Sequence, residues 1–354
     1  MTLFYTSYLW KKEKFMCTAV SFKTKDHYFG RNLDLDYSYD ETVTITPRKY
    51  PFKFRHVKNL DEHYAIIGVA YVADGFPLYY DAVNEKGLGM AGLNFPGNAV
   101  WSPMSKTKDN VTPFELTPWI LGQCGTVDEA RALLERVNAL NENFSGKLPL
   151  SPLHWLIADE EKSLTAEFLA DGLKLSENPV GVLTNNPPFE FHMLNLAGYM
   201  QVSANAPQNR ICPEIPLHAY SRGMGAMGLP GDLSSASRFV KAAFTKLNSV
   251  CGDSEPESVG QFFHILGAVA QQRGCVRVGS SGYEITIYSS CCNTKTGVYY
   301  YRTYGNSRIC AVDMHRENLN GNVLISYPLL KEENFFVQNG DDFPESEMPF
   351  CCKI

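Results

Sequence analysis

Between residues 17 and 110 the hydrophobic positions recur with the two-residue period of strands. Cys17–Phe22 alternates and passes through Lys25-Asp26-His27 into Tyr28–Arg31. Glu41–Thr46 alternates again and stops at Pro47, while Tyr64–Val72 is nearly continuous, as in a strand covered on both faces. Asp74-Gly75-Phe76-Pro77 predicts a turn before Tyr79–Val83, and Asn84-Glu85-Lys86-Gly87 predicts another before Leu88–Asn94. Gly87, Gly89 and Gly92 remove side-chain bulk there and predict close backbone approach.

The period changes after Thr112-Pro113. Phe114, Leu116, Trp119, Ile120 and Leu121 make one apolar helix face, and Thr126 is placed to cap a helix over 127–134. Strands return over 150–190, with His154–Ala158 and Ser163–Phe168 joined by the polar turn Asp159–Lys162. Further helices are predicted at 189–199, 234–247 and 259–269, the last capped by Ser258. Tyr283–Cys291 and Val298–Thr303 form the clearest hairpin, and a turn at Tyr304–Ser307 leads into Arg308–Val312. Strands and helices thus come in alternating blocks, without an internal repeat or a low-complexity linker. This order predicts an α+β fold in which two sheets carry helices on their outer sides, with 17–354 as a single domain. The acidic tail beyond 333 is expected to pack on the surface.

Composition narrows the function classes. With 44% hydrophobic and 20% charged residues the chain is an ordinary globular one, and a net charge of -6 provides no basic field for nucleic acid. Ten cysteines include the adjacent pairs Cys291-Cys292 and Cys351-Cys352 and no CxxC unit, which speaks against a zinc ribbon or a disulfide scaffold. None of the eight histidines forms an HExxH or similar ligand set, so no metal or other cofactor is expected. Reduced thiols fit a cytoplasmic protein. Residues 1–15, MTLFYTSYLWKKEKF, have their basic positions after the apolar ones, the reverse of a signal peptide, and no apolar run long enough for membrane insertion occurs anywhere. This segment reads as an upstream extension with Met16 the true start, or as a short pro-segment. Either way, residues 1–16 are expected to be absent from the mature chain, which would begin at Cys17.

Loss of Met16 would give Cys17 both a thiol and a free α-amine. An α-amine titrates near pH 8 and is a built-in base beside its own nucleophile. Cys17 alone is better explained as a buried cysteine in the first strand. Other polar residues in apolar or glycine-rich surroundings are Arg31, Asp34, Asn94, Asn185 with Asn186, and Arg238. Each also has a bland reading: an ion pair for Arg31 and Asp34, turn or loop capping for the asparagines, a solvated helix face for Arg238.

Six long motifs, in order, change the balance: MCTAVSF, FGRNLDLDYS, NEKGLGMAGLNFPG, NPVGVLTNNPPFEFHMLNL, GLPGDLSSASRFVKAAF and GYEITIYSSCCNTKTGVYYYRTY. Over Met16 to Val312 they resemble the choloylglycine hydrolase family, whose familiar activities are conjugated bile salt hydrolysis and penicillin V acylation. The resemblance implies a four-layer αββα sandwich of the N-terminal-nucleophile hydrolase type, usually bacterial and often a homotetramer. It implies Cys17 as the nucleophile and Arg31 as the cation that favours its thiolate. Asp34 would hold the α-amine, Asn94 would donate to the oxyanion, and Asn185 and Arg238 would complete the site. Asn94 matches a position that carries Asn in bile salt hydrolases and Tyr in many penicillin acylases, so conjugated bile salts are the expected substrates. The expected route is amide hydrolysis through a cysteine thioester. An apolar cleft is expected around Phe76, Phe95, Phe144 and Leu148, with Met90 tuning it. The reading from another class is a catalytically silent sheet protein with a binding role.

Overall fold

The computed structural model describes residues 16–335 and 337; the 1–15 segment and the packing of the tail past 337 lie outside the described residues. The first strands are β1 (Met16–Lys23), β2 (His27–Leu35), β3 (Thr42–Thr46), β4 (Ile66–Ala73), β5 (Phe76–Asn84) and β6 (Gly89–Asn94). β1 and β2 form an antiparallel hairpin in the middle of a six-stranded sheet. Its order is Val182–Leu183, β1, β2, Ile285–Asn293, Val298–Thr303, Asn306–Asp313. An eight-stranded sheet faces it, in the order Gly172–Glu177, Ser163–Leu169, Leu153–Ala158, β6, β5, β4, β3, Ile325–Pro328.

Helices cover the outer side of each sheet. α1 (Pro113–Leu121) and α2 (Val127–Leu134) close the eight-stranded sheet, sharing a core of Trp119, Ile120 and Leu134 with Ile66, Met90, Trp155 and Leu164. α3 (Phe189–Ala197), α4 (Ser235–Leu247) and α5 (Glu255–Gly267) lie on the six-stranded sheet's side, where Phe239, Phe262 and Leu266 share a core with Ala19, Val20 and Tyr288. Helix, sheet, sheet, helix is therefore the layer order, as the resemblance implied. Enclosure on both faces explains why all nine residues of β2 are buried although it carries His27, Arg31, Asn32 and Asp34. Where the two sheets meet, the Phe29 ring occupies the place of a Gly89 side chain: a Cβ there would lie 2.5 Å from a ring carbon. That is the close approach the glycine run predicts.

The predicted caps fare unequally. Thr126 accepts the Glu129 N–H, as expected. The last long helix starts earlier than its apolar pattern, at Glu255, because Ser254 and Glu257 form a reciprocal capping box. Ser258 is instead buried within the helix and hydrogen-bonds Thr24 at 2.9 Å. An exposed polar turn lies ahead of the apolar stripe, so periodicity alone misses it.

Candidate active site

Strand register assembles the first part of the site. β1 and β2 pair Cys17 with Leu33 and Ala19 with Arg31, so the two functional side chains share the face between the sheets. Arg31 crosses to the other sheet, where its Nη1 donates to the carbonyls of Tyr80 (2.8 Å) and Gly92 (2.5 Å). Behind it, Asp81 on β5 reaches back across and accepts from Tyr288 and Tyr299 (2.6 Å each) and Ser290 (3.0 Å).

The second part approaches from the helix side. Arg238, on the first turn of α4 beyond the Ser234 cap, is completely buried. Its Nη1 donates to the Cys17 carbonyl and to Thr18 Oγ1 (2.7 Å), its Nη2 to Asn185 Oδ1 (2.7 Å) and its Nε to Leu233 O (3.0 Å). Asn185 Oδ1 also accepts the Cys17 backbone N–H at 2.8 Å, and Asn185 Nδ2 donates to Asn94 O at 2.8 Å. The neighbouring Asn186 turns to Pro96 O instead, so Asn185 is the member of the pair that meets Cys17. One amide thus links the cysteine, Arg238 and Asn94.

The charges in this site are set by burial first. Burial pushes the Cys17 thiol up, against the pull of Arg31. The resting group is therefore a thiol, and the expected thiolate preference is present only as an opposing influence. Asp34 lies opposite Met16 in the ladder; burial pushes its carboxyl up to about 6, offset by Arg238 and by a 2.6 Å hydrogen bond from Thr286. Its Oδ2 is buried without a partner among the described residues. Glu284 accepts the Met16 N–H at 2.6 Å, and burial with Asp34 nearby pushes it up to about 8.

Cys17, Arg31 and Asn94 line a cavity of about 250 Å³ whose walls are mostly apolar. Phe144 and Leu148 line it as expected, together with Tyr39, Tyr80 and Phe114. The loop that carries Phe144 is tied down by Arg55, which donates to Glu142 Oε1 at 2.6 Å and to Asn143 O at 2.7 Å. Larger clefts of about 620 and 720 Å³ elsewhere contain none of this constellation.

The Linear amide C-N hydrolases, choloylglycine hydrolase family profile matches residues 17–327. The chain belongs to the choloylglycine hydrolase family. It is 55% identical over 324 residues to a bile salt hydrolase/transferase of Lactiplantibacillus plantarum, covering 92% of this chain and 100% of that one. Another bile salt hydrolase/transferase, from Clostridium perfringens, is 37% identical, covering 88% and 96%. A crystal structure of a mutant conjugated bile acid hydrolase from Clostridium perfringens superposes with a TM-score of 0.85 at 35% identity, covering 91% and 100%. This likeness places the choloylglycine hydrolase chain in the N-terminal-nucleophile hydrolase fold.

Three expectations about the cleft need correction. Phe95 is fully buried, stacked on His154 with centroids 4.1 Å apart, and does not line the cavity. Phe76 stands behind the cavity wall, packed on Phe114 and Phe144 at 6.3 and 6.2 Å. Met90 lies in the core beneath α1 and α2, on the far side of its sheet. A turn phenylalanine gives no sign in sequence of whether it faces a cavity or the core. The sequence reading also missed Thr18, Ser235, Glu284 and Thr286. Only Glu284 had a usable signal, as a lone carboxylate in an otherwise apolar and hydroxyl-bearing strand.

No helix among the described residues is long and apolar enough to cross a membrane.

Proposed function

We propose that the mature chain, beginning at Cys17, hydrolyses the amide bond of glycine- or taurine-conjugated bile salts through a cysteine thioester. One observation carries this reading: the Cys17 nitrogen is held by Asn185 Oδ1 while the same residue opens onto an apolar cavity. As an amine, that nitrogen has two N–H bonds and one lone pair. Asn185 takes one N–H, Asp34 Oδ2 takes the second, and the lone pair is left for the thiol proton. Because burial keeps the thiol protonated, such a base is needed.

Cys17 Sγ bonds to the acyl carbon, the amine passes the thiol proton to the leaving nitrogen, and the C–N bond breaks. Water deprotonated by the same amine then attacks the thioester, releasing the bile acid and restoring the thiol. Asn94 stabilises the oxyanion, worth about 3 kcal/mol for one such donor. Arg31 supplies positive charge on the cavity side. The apolar wall around Phe144 and Leu148 suits a steroid, and the relatives' names point to the same substrate class.

Release of glycine or taurine from conjugated cholate, compared with penicillin V turnover, tests the substrate. A preference for penicillin V would overturn the bile salt reading. Intact mass tests maturation: active protein that retains Met16 would refute the amine base. We further place the enzyme in the cytoplasm, since the eight cysteines among the described residues are free thiols. We assign it a homotetramer, supported by the exposed apolar side chains Leu194, Met200, Ile211 and Tyr220 between 194 and 220. Sedimentation of the purified enzyme as a monomer would remove that assignment.

A further inference from the structure

The segment that presents Asn185 is irregular, following the two-residue strand Val182–Leu183 and preceding α3. Its backbone is nevertheless held at successive atoms by buried side chains. His154 Nε2 lies 2.9 Å from Thr184 O, and His192 Nε2 lies 2.8 Å from Asn185 O. On the other side of the same residue, the Asn185 N–H donates to Ser235 Oγ at 2.8 Å. Asn185 thus has both its backbone groups bound by side chains, and its own side chain bound by the catalytic centre.

His192 is completely buried and its role is chemically defined. A carbonyl only accepts, so Nε2 bears the hydrogen and Nδ1 is bare. Nδ1 has no partner among the described residues, and burial lowers the ring's pKa to about 4, so the imidazole stays neutral. The ring also stacks on Phe239 at 4.8 Å and 19°, directly beside Arg238 in α4. A residue kept only for packing would not need a polar ring with one orphaned nitrogen in an apolar setting. Its single hydrogen bond is spent on the peptide that aims Asn185.

We propose that His192 is a positioning residue for the hydrolysis: its Nε2–H fixes the Asn185 peptide so that Asn185 Oδ1 meets the Cys17 nitrogen. This inference rests on Cys17 acting as the nucleophile. Misplacing a catalytic contact by about 1 Å costs about 100-fold in rate without requiring weaker substrate binding. The loss therefore belongs in kcat, and KM should move little. Glutamine at 192 can offer an amide N–H to the same carbonyl, whereas phenylalanine keeps the stack on Phe239 and loses the donor.

The test is steady-state hydrolysis of glycocholate by mature wild type, His192→Phe, His192→Gln, Ser235→Ala and Cys17→Ala, each with a thermal melt. We expect His192→Phe to lose about 10- to 100-fold in kcat with KM within about twofold. His192→Gln should recover most of that loss, and Ser235→Ala should lose kcat in the same sense. Equal losses in the Gln and Phe variants would overturn the proposal, as would wild-type kcat in His192→Phe. Should His192→Phe not fold, Ser235→Ala decides, because it trims one hydroxyl; wild-type kcat there overturns the proposal too. Activity in Cys17→Ala would instead bring down the nucleophile assignment itself, so the two failures are distinguishable.

Discussion

Arg31 and Arg238 are both fully buried and both act electrostatically on Cys17, yet they are built oppositely. Arg31 lies between the sheets, facing the cavity. Cys17, Tyr288, Asp81 and Asp34 raise its pKa more than burial lowers it. Arg238 lies on the helix side, where burial wins and its pKa is lowered despite Asp34, Cys17 and Glu284. Its guanidinium is instead occupied by four oxygen acceptors from three segments of chain. In the mechanism we propose, Arg31 brings charge to the reacting atoms and Arg238 brings geometry. Two buried cations can lie beside one cysteine because Arg31 faces the cavity between the sheets and Arg238 comes from the helix side.

Replacing the residue they share should have the largest effect. We expect Cys17→Ser to fold and to lose about 10³-fold or more in kcat, measured on glycocholate, since its hydroxyl is a weaker nucleophile than the thiol. Arg238→Met comes next, because it leaves buried acceptors without donors. It should cost about 3–5 kcal/mol of stability in urea unfolding and about 100-fold in kcat. If Arg238→Met behaves as wild type in stability, its geometric role is wrong. Arg31→Met should act on the thiol: without the cation, the pH midpoint for alkylation of Cys17 rises by about one unit. An unchanged midpoint would erase the distinction between the two arginines.

The carboxyls give smaller, pH-dependent effects. In the mechanism we propose, Asp34 holds the amine as a carboxylate, so kcat/KM should fall as pH drops below about 6, where it protonates. Stability moves the other way. A carboxyl raised in the folded state holds its proton more firmly than when unfolded. Its contribution is most favourable below its ordinary pKa and is lost as pH rises through the folded one. Glu284 has the same sign over a wider window, ending at about 8. Glu284→Gln should therefore melt higher than wild type at pH 9 and alike at pH 4, a comparison that needs only thermal scans.

Much of the fold was legible because period-two alternation and helix caps are local properties. β1, β2, α2 and α4 lie where the pattern predicts them. The start of α5 was not, because its capping box is an exposed turn ahead of the apolar stripe. For the site, the motifs picked out Cys17, Arg31, Asp34, Asn94, Asn185 and Arg238; Cys17, Arg31 and Asn94 line one cavity, and Asn185 and Arg238 hydrogen-bond Cys17 and each other. His192 and Ser235 lie inside two of those motifs but were not singled out, because their contacts to the Asn185 backbone leave no pattern in the side-chain sequence. The cleft was the weakest part: Phe144 and Leu148 line it, but Phe95 turns into the core.

By itself the sequence determined which residue types are present, which of them alternate onto a common strand face, and which family they resemble. Tertiary structure decided which atoms meet. The Cys17 nitrogen and Asn185 are 168 residues apart and Arg238 lies 221 from Cys17, so their contact depends on the six-stranded sheet and α4 packing in register. The state of the thiol was also decided there. Sequence can place an arginine near a cysteine, but only burial sets how strongly water is excluded, and here that exclusion outweighs the arginine.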